Sequence, residues 1–505
     1  MAFLVRNLVH RALVVSLWVT FARSANLGQW GPTIKFPIVP VASALLHDTG
    51  ELLVWSAYSP STFSIDRAGY TQSAVYSPNN GTVNQYTITN TKHDMFCPGV
   101  SIDFDGRITV TGGDTANKTS IYQSAPATWI TGGTMKIPRG YQASATCSDG
   151  RIFTIGGSWS GGYGGKNGEI FSPASNSWSL LSGCPVAPML TADAQGAFRS
   201  DNHAWLFGWK NGYVLQAGPS KAMNWYGTSG SGSRAAAGTR ANDGDAMNGN
   251  AVMYDAVAGL IATFGGSPSY QNSYATKNAH IITIGTPPAV PRVATLGNMH
   301  YARAFANSVI LPTGSVFITG GQTYAVPFSD ANSSLIPEMW DPVTKAFTDM
   351  AQQPTPRNYH SVGLLMPDGT VFSGGGGLCG DGCAQNHFDG QFYSPPYLFE
   401  ADGTTPAARP VIAKLSSTSV KVGANLTVTT SAAVSSFALI RVGSATHSIN
   451  TDQRRVALTA ASTSGPNYTL KLPTDAGVLL PGYWMIFALN ANGVPSVADL
   501  VKITL

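Results

Sequence analysis

Ile152-Phe153-Thr154-Ile155-Gly156-Gly157 is a short run of β-branched and aromatic residues that ends in a glycine pair. Such a run reads as a β-strand entering a turn whose backbone needs positive φ. The pattern returns as Ile108-Thr109-Val110-Thr111-Gly112-Gly113, Ile261-Ala262-Thr263-Phe264-Gly265-Gly266, Val316-Phe317-Ile318-Thr319-Gly320-Gly321 and Val371-Phe372-Ser373-Gly374-Gly375. Two degenerate units, Leu52-Leu53-Val54-Trp55-Ser56 and Tyr213-Val214-Leu215-Gln216-Ala217-Gly218, bring the total to seven.

The repeats recur at roughly 50 residues, the period of kelch motifs. Turns such as Ser148-Asp149-Gly150, Pro312-Thr313-Gly314 and Pro367-Asp368-Gly369 precede several of these strands and suit hairpins. Later in a unit, Phe171 with Trp178 and Trp340 with Phe347 supply aromatics to pack between neighbouring units. The fold class is therefore all-β: a seven-bladed kelch-type β-propeller over residues 25–398, with its loops meeting at one face around the axis. Beyond Tyr397-Leu398 the pattern stops. Alternating segments such as Asn425-Leu426-Thr427-Val428-Thr429 and Tyr468-Thr469-Leu470-Lys471-Leu472 predict an immunoglobulin-like sandwich over 405–505.

Composition agrees with this reading. The chain has 505 residues, a net charge of +4, only 11% charged residues, and 55 glycines. That balance fits neither a nucleic-acid-binding footprint nor an acidic disordered chain. Arg6 and Arg11 precede an apolar stretch, Ala12 to Ala22, and Ala22-Arg23-Ser24 suits cleavage, so residues 1–24 read as a secretory signal peptide. No later stretch is apolar for long enough to suggest a membrane span, and a soluble secreted product is expected. Sequons begin at Asn80, Asn117, Asn332, Asn425 and Asn467. There are five cysteines, Cys97, Cys147, Cys184, Cys379 and Cys383, so at least one has a fate other than an internal disulfide.

Residues with metal or redox chemistry are few. Tyr359-His360 places two potential ligands side by side before the strand Val362-Gly363-Leu364-Leu365. Neighbours in a regular strand face opposite sides, so both reach one metal only where the backbone bends; otherwise they are a polar pair at a strand end. Cys97, between Phe96 and Pro98-Gly99, reads on its own as a buried thiol. Tyr141 and Trp159 read on their own as propeller aromatics.

Whole segments carry a more specific signal. Thr91-Lys92-His93-Asp94-Met95-Phe96-Cys97-Pro98-Gly99, Thr154 through Gly162, Ser200-Asp201-Asn202-His203-Ala204-Trp205-Leu206-Phe207-Gly208-Trp209-Lys210 and Thr451-Asp452-Gln453-Arg454-Arg455 closely resemble the galactose oxidase family of copper radical oxidases. The resemblance runs through the propeller and the C-terminal domain, without the family's N-terminal carbohydrate-binding domain. It implies one copper ion held by Tyr141, Tyr359, His360 and His447, the last delivered by a hairpin that the sandwich threads into the propeller channel. It also implies a thioether between Cys97 and Tyr141 that makes a stable tyrosyl radical, shielded by Trp159. That assignment accounts for the odd cysteine. Cys379 is expected to pair with Cys383, one residue further apart than the family's spacing, while Cys147 and Cys184 match no family cysteine and are either free or bridged to each other.

By the same resemblance the activity is oxidation of a primary alcohol to an aldehyde, with O2 reduced to hydrogen peroxide. Tyr359 acts as the base. The sugar-contacting positions fall on Phe63, Arg199, Tyr270, Gln271 and Phe328, which favours C6 of galactose. Phe198 replaces a family tyrosine, and Thr323-Tyr324-Ala325-Val326-Pro327-Phe328 departs from an Arg-rich form. Both changes leave a sibling oxidase of aryl or aliphatic alcohols as the alternative. A non-catalytic kelch lectin or scaffold is the alternative from another class, disfavoured by Cys97, Tyr141, Tyr359, His360 and His447 occurring together. The expected partners are the alcohol and O2, with no nucleic acid or membrane, and a monomer is the family default.

Overall fold

Each repeat strand pairs with its nearest neighbours in sequence and builds one blade. A computed structural model describes residues 26–64, 69–193 and 200–505; the signal-peptide segment 1–24 lies outside them. Seven antiparallel sheets stand around an axis, with inner strands Ala42–Leu45, Gly99–Ile102, Ala143–Thr146, Trp205–Gly208, Asn250–Asp255, Ala304–Ile310 and Ser361–Leu365. All seven repeat units fall in the second strand of a blade: Leu52–Trp55, Ile108–Thr111, Ile152–Ile155, Tyr213–Gly218, Leu260–Phe264, Val316–Gln322 and Val371–Gly375. The seventh blade is completed by the strand Gln29–Trp30. Gln29 pairs with Ser394 and Trp30 with Tyr393, so strands from both ends of the propeller close the ring.

The glycine pairs are explained by what stands next to them. At Gly156, with φ +79°, a Cβ would lie 2.1 Å from the carbonyl oxygen of Asp201, at the entry to the next blade. At Gly320, with φ +70°, it would lie 2.0 Å from the carbonyl of Arg357, again in the next blade. The repeat signature is thus a close backbone approach between blades as much as a turn.

The strands from Ile412 onward, apart from Ser444–Thr446, form a two-sheet sandwich. One sheet holds Ile412–Leu415, Asn425–Thr430, Asn467–Lys471 and Ala460–Ser464; the other holds Ser419–Lys421, Asp499–Thr504, Gly482–Leu489, Ser436–Arg441 and Arg455–Leu458. Alternation along Asn425–Thr430 buries Leu426 and Val428 against Phe437, Leu439, Leu470 and Trp484. The same apolar cluster continues into Trp209 and Trp225 of the propeller, which fixes the sandwich against it.

From this sandwich the segment 444–455 enters the propeller axis. Ser444–Thr446 pairs with Ala42–Leu45, with Ala42 opposite Thr446, and so adds a strand inside the first blade. Side-chain bonds then join the segment to other inner strands: Thr451 Oγ1 donates to Ser144 O at 2.5 Å, and Gln453 Nε2 to Ser308 O at 2.8 Å. Arg454 Nη2 donates to Gly208 O at 2.9 Å, and Asn250 Nδ2 donates to Ser448 O at 2.8 Å. Asp452 accepts from the Ile102 amide at 3.1 Å and from the fully buried Arg441 guanidinium.

Candidate metal centre

The loops that enter the inner strands all open at one end of the channel, and three of them place a side chain at the same position. Cys97, Tyr141 and His203 each stand two residues ahead of an inner strand, in consecutive blades, with φ of +56°, +67° and +51°. His360 at +70° and His447 at +49° share this left-handed backbone. Non-glycine residues hold such angles at a cost of about 1–2 kcal/mol each and cluster where geometry serves a function.

Five predicted residues converge there. Cys97, Tyr141, Tyr359, His360 and His447 are at most 5% exposed. The Tyr141 and Tyr359 hydroxyls hydrogen-bond directly. The Cys97 Sγ and a ring nitrogen of each of His360 and His447 lie within 4.8 Å of one another. The Tyr141 backbone N–H donates to Cys97 O at 2.9 Å, which holds the two residues side by side. Trp159 lies flat over Tyr141, with centroids 4.8 Å apart and 9° between planes.

The hydrogen bonds fix the imidazole tautomers. His360 Nδ1 faces the Gly377 carbonyl at 2.6 Å, so it carries the proton, and its buried Nε2 has no hydrogen-bond partner among the described residues. His447 Nδ1 lies 2.7 Å from Thr446 Oγ1, whose own proton goes to Val41 O. Its Nε2 therefore accepts, and faces Cys97 Sγ at 3.3 Å. Burial holds both rings neutral, His360 down to about 3 and His447 well below the ordinary range. Burial also pushes the Tyr141 phenol and the Cys97 thiol well up, reinforced for Tyr141 by the neighbouring ionisable Cys97, Tyr359 and Tyr270 and for Cys97 by the carboxyl groups of Asp114 and Asp94. Two Nε2 lone pairs and two phenol oxygens turned inward are a donor set that suits tetragonal Cu(II). A ligand histidine that gives its other N–H to a carbonyl or hydroxyl is the usual outer-shell support. The residues present fit the metal.

Above this cluster stands a half-buried aromatic wall. Phe63 stacks on Phe96 at 4.6 Å and lies parallel to Phe328 at 5.9 Å, while Phe328 meets Tyr359 edge-on at 5.0 Å. Tyr270 is buried and its hydroxyl is 3.1 Å from His203 Nε2; Gln271 follows it, half-buried. Arg199 and Phe198 lie outside the described residues. The Cys379–Cys383 disulfide is formed, and its loop supports the Phe63 segment through Gly380 N to Ser61 O at 3.0 Å. Cys147 and Cys184 are free buried thiols.

The chain is 54% identical over 488 residues to galactose oxidase of Gibberella zeae, a match spanning 96% of this chain and 72% of that enzyme. The chain belongs to the galactose oxidase family. A galactose oxidase-like Early set domain matches residues 409–503, and a Kelch motif matches 139–185. A solved structure described as a novel fungal alcohol oxidase with catalytic diversity among the AA5 family, in complex with copper, superposes with a TM-score of 0.92 at 51% identity. The match covers 95% of this chain and all of that one. More distantly, an aldehyde oxidase of Vitis pseudoreticulata is 30% identical over 41% of this chain and 42% of its own length.

Two features of this galactose oxidase family member escaped the sequence reading. His203 stacks on His447 with centroids 5.0 Å apart and 18° between planes, and it packs on Tyr141 at 4.6 Å. The signal was its repeat position, equivalent to Cys97 and Tyr141. The second is a pair of buried arginines, each two residues before a tyrosine. Arg139 bonds Gly156 O at 2.8 Å and Glu169 at 2.9 Å; Arg357 bonds Gly375 O at 3.0 Å and Asp389 at 2.6 Å. Arg303 repeats the device with Gly320 O and Glu338. These pairs pin the loops of Tyr141 and Tyr359 to the second and third strands of their own blades.

Proposed function

We propose that the protein is a secreted copper radical oxidase that converts the C6 primary alcohol of galactose and terminal galactosides to the aldehyde, with O2 reduced to hydrogen peroxide. The observation that carries the reading is the meeting of Tyr141, Tyr359, His360 and His447 around inward-facing lone pairs, with Cys97 beside Tyr141. These four side chains would hold the copper. When bound, copper supplies a one-electron redox centre and polarises the substrate hydroxyl.

Tyr359 accepts the hydroxyl proton, being the phenol of the cluster whose ring meets Phe328 of the aromatic wall. Tyr141, joined to Cys97, takes a hydrogen atom from the carbinol carbon in its radical form. Removal of one proton, one hydrogen atom and one further electron turns the alcohol into the aldehyde, and O2 takes up two electrons and two protons as peroxide. Trp159 covers Tyr141 and keeps water from the radical. Phe63 and Phe328 offer an apolar wall to one face of the sugar ring, with Gln271 as a hydrogen-bonding group; the resemblance assigns Arg199 the same role.

Exposure of all five sequon asparagines supports the secretory reading, and the disulfide agrees with an oxidising compartment. The substrate is tested by peroxide release from the copper-loaded protein. Rapid turnover of galactose beside slow turnover of benzyl alcohol is the expected result. The reverse order would instead place the protein with oxidases of aryl alcohols.

A further inference from the structure

A two-stranded ribbon rises beside the aromatic wall, formed by Ser273–Tyr274 and Tyr324–Ala325 with Tyr274 directly opposite Tyr324. The two phenol rings meet at 4.8 Å with 67° between planes, yet Tyr274 remains 77% exposed. Backbone bonds already hold the ribbon, from Asn272 N to Ala325 O at 2.7 Å and from Ala275 N to Thr323 O at 3.0 Å. The Tyr pair is therefore not needed to close it. Large exposed aromatics beside a binding cleft mark contact surfaces, and tyrosine gives rigid amphipathic area with little entropy to lose.

We propose that Tyr274 and Tyr324 form a sugar-binding platform for the residues that follow a terminal galactose in an oligosaccharide or polysaccharide. The inference rests on the galactoside reading above and extends it to the substrate class. Continuity places the platform: Tyr274 is four residues beyond Tyr270, and Tyr324 is four before Phe328. At about 3.3 Å per residue, Tyr274 lies within about 13 Å of Tyr270 and Tyr324 within about 13 Å of Phe328. The chemistry also fits a neutral sugar, because 269–275 and 322–329 contain no charged side chain and supply amides and hydroxyls from Asn272, Ser273 and Thr323. Tyr324 sits in the segment that departs from the family's Arg-rich form.

The test compares free galactose with a galactomannan for the copper-loaded wild type, the double variant Tyr274→Ala/Tyr324→Ala and the variant Tyr274→Phe. Migration in native gels containing galactomannan gives a readout independent of turnover. In the double variant the KM for galactomannan should rise about fivefold, which corresponds to about 1 kcal/mol for a lost ring contact. Its KM for galactose should stay put, and retardation in the gel should be lost. Tyr274→Phe, which keeps the ring, should behave as wild type. A wild type that oxidises galactose while the double variant matches it on galactomannan in both assays overturns the platform and leaves the galactose reading standing. A wild type that does not oxidise galactose overturns both.

Discussion

Tyr359 and His360 are consecutive residues, yet their rings lie stacked with centroids 3.7 Å apart and 28° between planes. In a regular strand they would point to opposite faces. The left-handed backbone at His360 turns both rings toward the axis just before Ser361–Leu365 begins. One loop thereby contributes a phenol and an imidazole to the same cluster.

Removing only the Tyr359 hydroxyl should separate metal binding from chemistry. Tyr359→Phe keeps the ring, its contact with Phe328 and its stack on His360. We expect copper to be retained on His360, His447 and Tyr141, with turnover lower by about 10²–10⁴, the range for loss of a positioned base. Metal analysis and peroxide release on the same sample decide it. His360→Ala, by contrast, should lose the metal itself.

Asp452 anchors the hairpin that carries His447. Its carboxylate accepts from Arg441 and from Ser444 Oγ, in addition to the Ile102 amide. Asp452→Ala leaves the 1%-exposed Arg441 side chain without its counter-charge. Breaking one side of such a buried pair typically costs about 3–5 kcal/mol. Chemical denaturation should show a loss of that order, and copper affinity should fall with it because the hairpin loses its link to the second blade.

The arginine clamps give a graded comparison. Glu169, facing Arg139, is fully buried, whereas Asp389, facing Arg357, is 13% exposed and also reached by Lys35. Glu169→Ala should therefore destabilise more than Asp389→Ala, approaching about 3–5 kcal/mol. Thermal unfolding of the two variants side by side checks the order.

His93 predicts a pH dependence. It is buried between Ser120 Oγ at 2.9 Å and the Gly112 carbonyl at 2.8 Å, and burial lowers its pKa to about 4. The unfolded chain then binds the extra proton between about 6.5 and 4, so this group's contribution is full above pH 6.5 and is lost as pH falls to 4. The shift corresponds to about 3 kcal/mol. Asp94, raised by burial to about 7, acts in the opposite sense, its contribution being lost as pH rises from about 4 to 7. The two are separated by difference: the stability gap between wild type and His93→Gln should widen as pH rises from 4 to 6.5. A constant gap would contradict the assignment.

The blades were legible because each one is local. A strand, a glycine pair and a hairpin recur within one repeat, and seven repeats count themselves. The residues that meet at the candidate metal centre were legible through segments resembling a family, since bare spacing left Tyr359-His360 undecided until the angle at His360 was known. What escaped lies in contacts between distant segments. His203 meets His447 across 244 positions of chain, and the carboxylate partners of Arg139 and Arg357 sit two strands further along their blades. No local pattern announces which buried arginine faces which carboxylate.

The central claim is that Cys97 and Tyr141 are built to become one cofactor. The most direct measurement is peptide mass spectrometry of the protein after exposure to copper and O2. Forming the thioether replaces an S–H and a ring C–H by one S–C bond, with the two hydrogens passing to O2. The peptides containing Cys97 and Tyr141 should appear as a single linked species lighter by two hydrogens than their sum, and Cys97→Ala should abolish it. Recovery of the two peptides unlinked from copper-loaded, oxygen-exposed protein would contradict the account.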